Sequence, residues 1–306
     1  MAETDREIER EAAGEPSLAA QLSAEFAGTM ILILFGCGVV ASVVAGGRGD
    51  VDSISWAWGL GVVLGVYTAA RISGAHLNPA VTLAMACFRG FPWRRVAPFA
   101  LAQLAGAFVA ALLVRLLYHD VLVAFDPSLG KDSGGVFYTS PGLTADGSPV
   151  SVATGFGDQV LGTAILVFLV LALTTATNHP PMANLGPWLI GLVVVGIGMA
   201  WGANAGYAIN PARDLGPRLA AWITGYGNDV WESASSDVLY FWVPLVAPLV
   251  GAVVGGLAFR LLIERHLPPE PVPEPAPEPT ADPPADPPAA TPAATPAQHR
   301  KDRTHD

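Results

Sequence analysis

Apolar residues fall in long blocks along this chain rather than in alternation. Six blocks, at about 19–45, 54–72, 97–118, 157–177, 186–203 and 239–263, are long and apolar enough for helices that cross a bilayer, which takes about 20 residues. Two further runs, Val81 to about Arg89 and Arg213 to about Ile223, are too short to span at about 1.5 Å per residue. Each follows an Asn-Pro-Ala tripeptide: Asn78-Pro79-Ala80 and Asn210-Pro211-Ala212. Proline suits the first helical position, because its missing N–H needs no partner there. Asparagine just before it is a good N-cap. Each short run therefore predicts a half-helix that starts inside the membrane.

The pattern repeats. Glu25-Phe-Ala-Gly-Thr29 resembles Gln159-Val-Leu-Gly-Thr163, and Ala75-His-Leu-Asn-Pro-Ala80 resembles Tyr207-Ala-Ile-Asn-Pro-Ala212. Glu25 precedes Asn78 by 53 residues and Gln159 precedes Asn210 by 51. Two features recurring in order at nearly equal spacing mark a duplicated unit. Each unit holds three spans, an odd number, so the second lies inverted relative to the first. Inverted repeats place their site near the bilayer midplane, at the repeat interface. The expected fold is an all-α membrane protein: six transmembrane helices plus two half-helices in an inverted 3+3 repeat, over about 18–118 and 153–264.

Composition and charge refine this picture. The 306 residues are 52% apolar and 14% charged, against about 25% charged in soluble domains. The net charge of −10 sits largely in the ends: residues 1–17 carry six acids and two Arg, and 267–306 carry seven acids and three bases. The acidic stretch before the first block is the opposite of the basic start that a secretory signal needs. The last 40 residues hold 13 prolines and read as a solvated Pro-rich tail without helix or core. The expected organisation is an acidic tail over 1–17, a channel domain over 18–266 and a disordered tail over 267–306. Arg89, Arg94 and Arg95 follow the second span, and Arg260 and Arg265 close the sixth. The positive-inside rule assigns that side, and both termini, to the cytoplasm of a multi-pass plasma or inner membrane protein. The Gly- and Pro-containing connection 119–153 then faces outward. Cys37 and Cys87 form neither a disulfide framework nor metal-ligand spacing and read as small buried residues.

The paired tripeptides suggest chemistry. Half-helices meeting N-terminus to N-terminus place about half a positive charge each at the junction, which repels cations and protons. Their asparagines offer amide donors. The non-helical approaches Ser73–Leu77 and Gly202–Ile209 offer backbone carbonyls, tolerated at that depth only where they line a wet cavity or pack in protein. The expected carbonyl rail comprises Gly74, Ala75, His76, Gly202, Gly206, Tyr207 and Ala208. Donors from asparagine beside acceptors from backbone suit a neutral hydroxylic solute. No nucleophile–base set, phosphate loop, metal cluster, cofactor site or nucleic-acid motif stands out in the sequence.

These residues resemble the aquaporin, or major intrinsic protein, family over about 18–266. The motifs are Ala24-Glu25-Phe26, Ser73-Gly-Ala-His-Leu-Asn-Pro-Ala-Val-Thr82, Ala102-Gln103-Leu-Ala-Gly106 and Asn210-Pro-Ala-Arg-Asp214. The resemblance implies a right-handed bundle, a homotetramer in a lipid bilayer with one pore per subunit, and a selectivity constriction at Trp58, Gly198, Tyr207 and Arg213. An Arg at membrane depth is by default a functional residue. Strict water channels commonly place a His where Gly198 stands. A glycine widens that side, leaving Trp58 and Tyr207 as an apolar corner for a polyol's carbons and Arg213 for its hydroxyls. Asp214, Arg218 and Pro244-Leu245 also resemble the glycerol-facilitator (aquaglyceroporin) subfamily. The implied function is passive passage of glycerol and water, with ions and protons excluded.

The family braces each pore loop with a buried Glu. Glu25 fits; the second half has the neutral Gln159, with Asp158 beside it to compensate. Arg115 stands near the outer end of the third span, where glycerol channels often have an aromatic, and is expected to snorkel to the headgroups. His76 on the inner approach either titrates as a gate or holds the loop and lends its carbonyl. His266, His299 and His305 have no partner evident in sequence. Two rival readings use the same pattern: a channel restricted to water, and an inverted-repeat transporter driven by an ion. The second normally needs ionisable groups in mid-span, where this chain has Glu25, Asp158 and little else.

Overall fold

The computed structural model describes residues 14–269. The acidic N-terminal stretch falls within them only at 14–17 and the Pro-rich tail only at 267–269. The remainder of both, with His299 and His305, lies outside the described residues. Eight principal helices follow the apolar pattern among those residues: α1 (Leu18–Val44), α2 (Val51–Ser73), α3 (Pro79–Phe88), α4 (Trp93–Leu117), α5 (Val152–Thr174), α6 (Gly186–Ala205), α7 (Pro211–Ala221) and α8 (Val243–Leu262). Six of them are long and apolar enough to cross a membrane; α3 and α7 are the half-helices.

Local chemistry sets the boundaries. Ser17 caps α1, accepting from the Ala20 N–H. Asp50 and Ser53 form a reciprocal capping box at the start of α2, satisfying donors that a helix N-terminus leaves open. Gly74, at φ +85°, ends α2 in the left-handed conformation that glycine adopts without strain. Asn78 and Asn210 cap the half-helices with proline at the first position. The fifth span runs to Ala205, so the irregular approach to the second half-helix is Gly206–Ile209, shorter than expected. The sixth span begins at Val243 because Ser236–Leu239 pairs antiparallel with Glu232–Ser233.

In the first half α1 packs on α2 and α4; in the second α5 packs on α8 and α6, and α2 meets α6 between the halves. Each half-helix packs chiefly against the third span of the other half, α3 on α8 and α7 on α4. The inverted repeat is thus interlocked. Glycine permits the closest approaches. Where α2 crosses α6, a Cβ on Gly191 would lie 2.6 Å from the Gly59 carbonyl oxygen, and one on Gly59 2.7 Å from that of Gly191. Small residues at such crossings let backbones meet without cavities. Outward-facing Leu101, Leu116 and Leu117 stay exposed, as lipid-facing positions do.

The connection 119–153, expected from the charge pattern to face outward, is built rather than loose. His119–Phe125 and Lys131–Gly134 are helical. Asp126 accepts from Ser128 Oγ, the Gly130 N–H and Ser133 Oγ, and Ser133 Oγ in turn accepts from the Tyr226 hydroxyl. Lys131 ties this segment to Glu232 and Asp237. At the other end of the bundle Arg89 bridges Glu264 at 2.7 Å, so the basic segment after α3 and the end of α8 share one side. Cys37 is buried, whereas Cys87 is exposed, against the expectation of two buried thiols.

Gly191→Val forces apart two backbones already in contact. It is expected to cost about 1–3 kcal/mol, the usual range for overpacking, and to lower the melting temperature of detergent-solubilised protein. An unchanged melting curve would show that the crossing has room to spare.

Candidate functional site

The site grows from the two tripeptides. Asn78 Oδ1 accepts from the Ala80 N–H at 2.8 Å, and Asn210 Oδ1 accepts from Ala212 and Arg213 at 3.0 and 3.1 Å. Each asparagine also reaches across the repeat interface. Asn78 Nδ2 donates to the Ile209 carbonyl and Asn210 Nδ2 to the Leu77 carbonyl, both at 2.8 Å. The half-helix N-termini therefore meet, stapled reciprocally. An amide nitrogen has two N–H groups; one is used in each staple, and both asparagines line the inner cavity.

The loops entering the staple are held under strain. Ala75, Leu77 and Ile209 have φ of +50°, +51° and +42°, a region that costs non-glycine residues energy unless the surroundings impose it. Glu25 imposes it in the first half. Fully buried, its carboxylate accepts from Ser73 Oγ (2.6 Å), His76 N–H (2.9 Å), Leu77 N–H (2.7 Å) and Gln103 Nε2 (2.7 Å). Gln159 works differently. Its Oε1 accepts from the Ile209 N–H at 3.0 Å, while its Nε2 donates to the Gly206 carbonyl at 2.7 Å.

Two of the expected rail carbonyls are thereby engaged within the protein. That of Gly202 lies inside α6 and accepts from the Gly206 N–H, because the helix continues past the expected break. That of Gly206 accepts from Gln159. Gly74, Ala75, His76, Tyr207 and Ala208 line the inner cavity. His76 Nδ1 lies 3.2 Å from Thr82 Oγ1, and its ring sits against Phe91 and Phe99, so it is built into the loop.

The inner cavity has a volume of about 120 Å³, where ~10–15 Å³ suffices for one water. Its lining is divided between apolar side chains such as Leu32, Val62, Val66 and Leu166 and polar groups from Asn78, Asn210, His76 and Arg213. A second cavity, of about 300 Å³, is lined by Tyr138, Thr139 and Ser140 of the outer connection. Trp58, Tyr207 and Arg213 line both cavities. Those three residues form the boundary that the two cavities share.

Arg213 lies with its guanidinium carbon 4.0 Å from the centre of the Trp58 ring and donates to the Phe137 carbonyl at 3.3 Å. Asp214 is not its ion-pair partner. One Asp214 oxygen takes Arg218 and the other takes the N–H and hydroxyl of Thr139. Arg218, fully buried, also donates to the carbonyls of Thr139 and Val230 and stacks on Tyr138. This clamp fixes the outer connection at 137–139, and with it the acceptor for Arg213.

Gly198 lines neither cavity. A Cβ there would lie 2.7 Å from Tyr207 Cζ and 2.9 Å from Ser55 Oγ. The absent side chain makes room for the Tyr207 ring rather than leaving an open recess. Arg115 does not reach the headgroups: it is 7% exposed, with a buried Nε that has no hydrogen-bond partner, because the outer connection folds over that end of α4. His266 accepts from Arg265 Nε. Sequence reasoning missed Ser55, Phe137 and Thr139. The last two act through the backbone about 75 residues from their partners, which leaves no local signal.

Residues 13–259 match the family model described as Major intrinsic protein. The chain is 45% identical over 233 residues to "Aquaglyceroporin-9" of Botryotinia fuckeliana, covering 73% of this chain and 49% of that protein, so it spans about half that relative's length. It is 44% identical over 238 residues to the "Glycerol uptake facilitator protein" of Escherichia coli, covering 75% of this chain and 83% of that one. The X-ray structure of the aquaglyceroporin from Plasmodium falciparum superposes with a TM-score of 0.72 at 33% identity, covering 81% of this chain and 97% of that one.

The clamp makes a specific expectation. Asp214→Ala leaves the Arg218 guanidinium buried without its counter-ion, which typically costs about 3–5 kcal/mol. Asp214→Ala with Arg218→Met removes both charges and is expected to recover most of that loss in thermal denaturation. A double variant no more stable than the single one would show that the loss does not come from the uncompensated Arg218 charge.

Proposed function

The chain belongs to the major intrinsic protein family, and from that premise we propose that it is a passive channel for glycerol and water. The observation that carries this reading is the lining shared by both cavities: two aromatic residues, Trp58 and Tyr207, beside one arginine, Arg213. A polyol presents carbons on one side and hydroxyls on the other. The aromatic rings accept the carbons, and the Arg213 guanidinium, which is rigid and only donates, takes the hydroxyl oxygens. Gly198 belongs to this selectivity filter as the seat of Tyr207. A larger residue there pushes the ring toward the passage.

Past the constriction, the remaining N–H groups of Asn78 and Asn210 donate to solute oxygens. The carbonyls of Gly74, Ala75, His76, Tyr207 and Ala208 accept from solute hydroxyls. A neutral solute thus exchanges hydrogen bonds with water for hydrogen bonds with the wall. A cation meets Arg213 and then two helix N-termini, each carrying about half a positive charge, with few compensating ligands. On this reading the chain is a channel and not an enzyme, and it needs no cofactor. The family relationship supports a homotetramer with one pore per subunit. The positive-inside rule supports an inner side formed by the end that carries Arg89 and Arg260, with both termini cytoplasmic in the cell membrane.

Gly198→Ala tests the filter, because its Cβ meets Tyr207 at 2.7 Å. In proteoliposomes the variant is expected to lose glycerol permeability by roughly tenfold, an effect of ~1.4 kcal/mol, while water permeability falls much less. An unchanged glycerol-to-water ratio in correctly inserted protein would remove Tyr207 from the filter. Arg213→Val is expected to admit protons or small cations, read as dissipation of a pH gradient across the same vesicles; a gradient held as long as in wild type would contradict the arginine's role.

A further inference from the structure

The second pore loop is braced without the carboxylate that braces the first, and the neighbouring acid supplies what the amide lacks. Asp158 Oδ1 accepts from Asn204 Nδ2 at 3.0 Å, and its Oδ2 lies 3.4 Å from Gln159 Nε2. Asn204 is in the last turn of α6, and its own carbonyl accepts from the Gly142 N–H of the outer connection. Two consecutive residues of α5 therefore hold the loop at three points: the Asn204 side chain, the Gly206 carbonyl and the Ile209 N–H.

The direction of the Gln159 amide is decisive. Its Nε2 faces two acceptors, Gly206 O and Asp158 Oδ2, and its Oε1 faces one donor, the Ile209 N–H. Turned over, the amide would set oxygen against oxygen and N–H against N–H. The Asp158 carboxylate, an acceptor only, disfavours that flip. We propose that Asp158 is a positioning residue for the constriction: it anchors Asn204 and orients the Gln159 amide, so that Gly206 is drawn toward α5 and Tyr207, the next residue, is set across the passage. This rests on Tyr207 belonging to the filter. The two halves of the pore thereby differ in kind. The first loop is held by an anion that only accepts, and the second by an amide that also donates and takes Gly206 out of the rail.

The charges around this brace are few. Asp158 lies on the same helix. Among elements packed on α5, α6 carries no ionisable side chain, α3 carries only the thiol of Cys87, and α8 carries Arg260 at its far end. Tyr240, just before α8, packs against Gly155. A carboxyl introduced at position 159 gains no cation beside it from these helices, and Arg218, whose charge reaches Tyr240, is already paired with Asp214. Its protonated form can donate to Gly206 as the amide does; its ionised form opposes both Gly206 O and Asp158.

The test uses the full chain in proteoliposomes, with glycerol and water permeabilities measured at about pH 5 and about pH 8, a window that brackets a buried carboxyl raised above its ordinary value of about 4.3. Wild type is expected to give the same glycerol-to-water ratio at both. Gln159→Glu is expected to lower the ratio roughly fivefold at the alkaline value, for loss of a buried hydrogen bond, and to restore it toward wild type at the acidic value. Adding Asp158→Asn removes the like charge and is expected to move the half-point down by about one pH unit. Asp158→Ala alone is expected to lower the ratio; Asp158→Asn alone, which keeps an acceptor for Asn204 but turns an N–H toward Gln159 Nε2, is expected to lower it less. If Gln159→Glu inserts normally and its ratio does not change with pH, the donating brace is wrong. If Asp158→Ala keeps the wild-type ratio, Asp158 does not position the loop, whether or not the position 159 variants fold. Gly198→Ala separates the premises: if it shifts the ratio and these variants do not, the filter stands and the brace fails, and if it does not shift the ratio, the filter reading itself fails.

Discussion

Two hydrogen bonds across the repeat interface hold the centre of this molecule: Asn78 to the Ile209 carbonyl and Asn210 to the Leu77 carbonyl. Each asparagine also caps its own half-helix. The staple therefore fixes three things together: where the helices begin, how their N-termini face each other, and which backbone groups remain for the pore. It has a conformational cost, in the left-handed backbone of Ala75, Leu77 and Ile209. That strain persists because buried side chains over-determine it, Glu25 in one half and Gln159 in the other. Because α3 packs on α8 and α7 on α4, neither half completes its site without the other.

Solute choice is separate from this framework. The staple and its helix dipoles act against charge whatever the neutral solute. In the proposed function, size and polarity are read at Trp58, Tyr207 and Arg213, which lie on the boundary of both cavities. Arg213 is itself held by a backbone acceptor, Phe137, whose segment depends on the buried Asp214–Arg218 pair and Thr139. A buried pair of this kind contributes little net stability; here it supplies a defined place for the outer connection.

Much of this was legible in the sequence. The apolar blocks gave six spans to within a few residues, and Asn-Pro-Ala twice in register gave both half-helices and the inversion, because proline and asparagine have strong positional physics at a helix start. The clean failures have physical reasons. Gly202 sits inside a helix because nothing in Gly-Ala-Asn-Ala stops α6 before Gly206. Gly198 reads as empty space in one dimension, yet in three it is occupied by a ring nine residues away. Arg115 appeared free to snorkel because the fold of 119–139 over it depends on Asp126, Ser133 and Tyr226, contacts that no local pattern announces. Gln159 was visible as a departure, but its donation to Gly206 required coordinates.

The central claim is that this arrangement passes a neutral polyol down its gradient without coupling to an ion. Stopped-flow light scattering on proteoliposomes of the wild-type chain, under inward glycerol gradients of increasing size, tests it most directly. The account predicts glycerol entry well above that of protein-free vesicles, linear in the gradient and unchanged when ion gradients are collapsed. Entry no faster than in empty vesicles, or entry that saturates and requires an ion gradient, would contradict it.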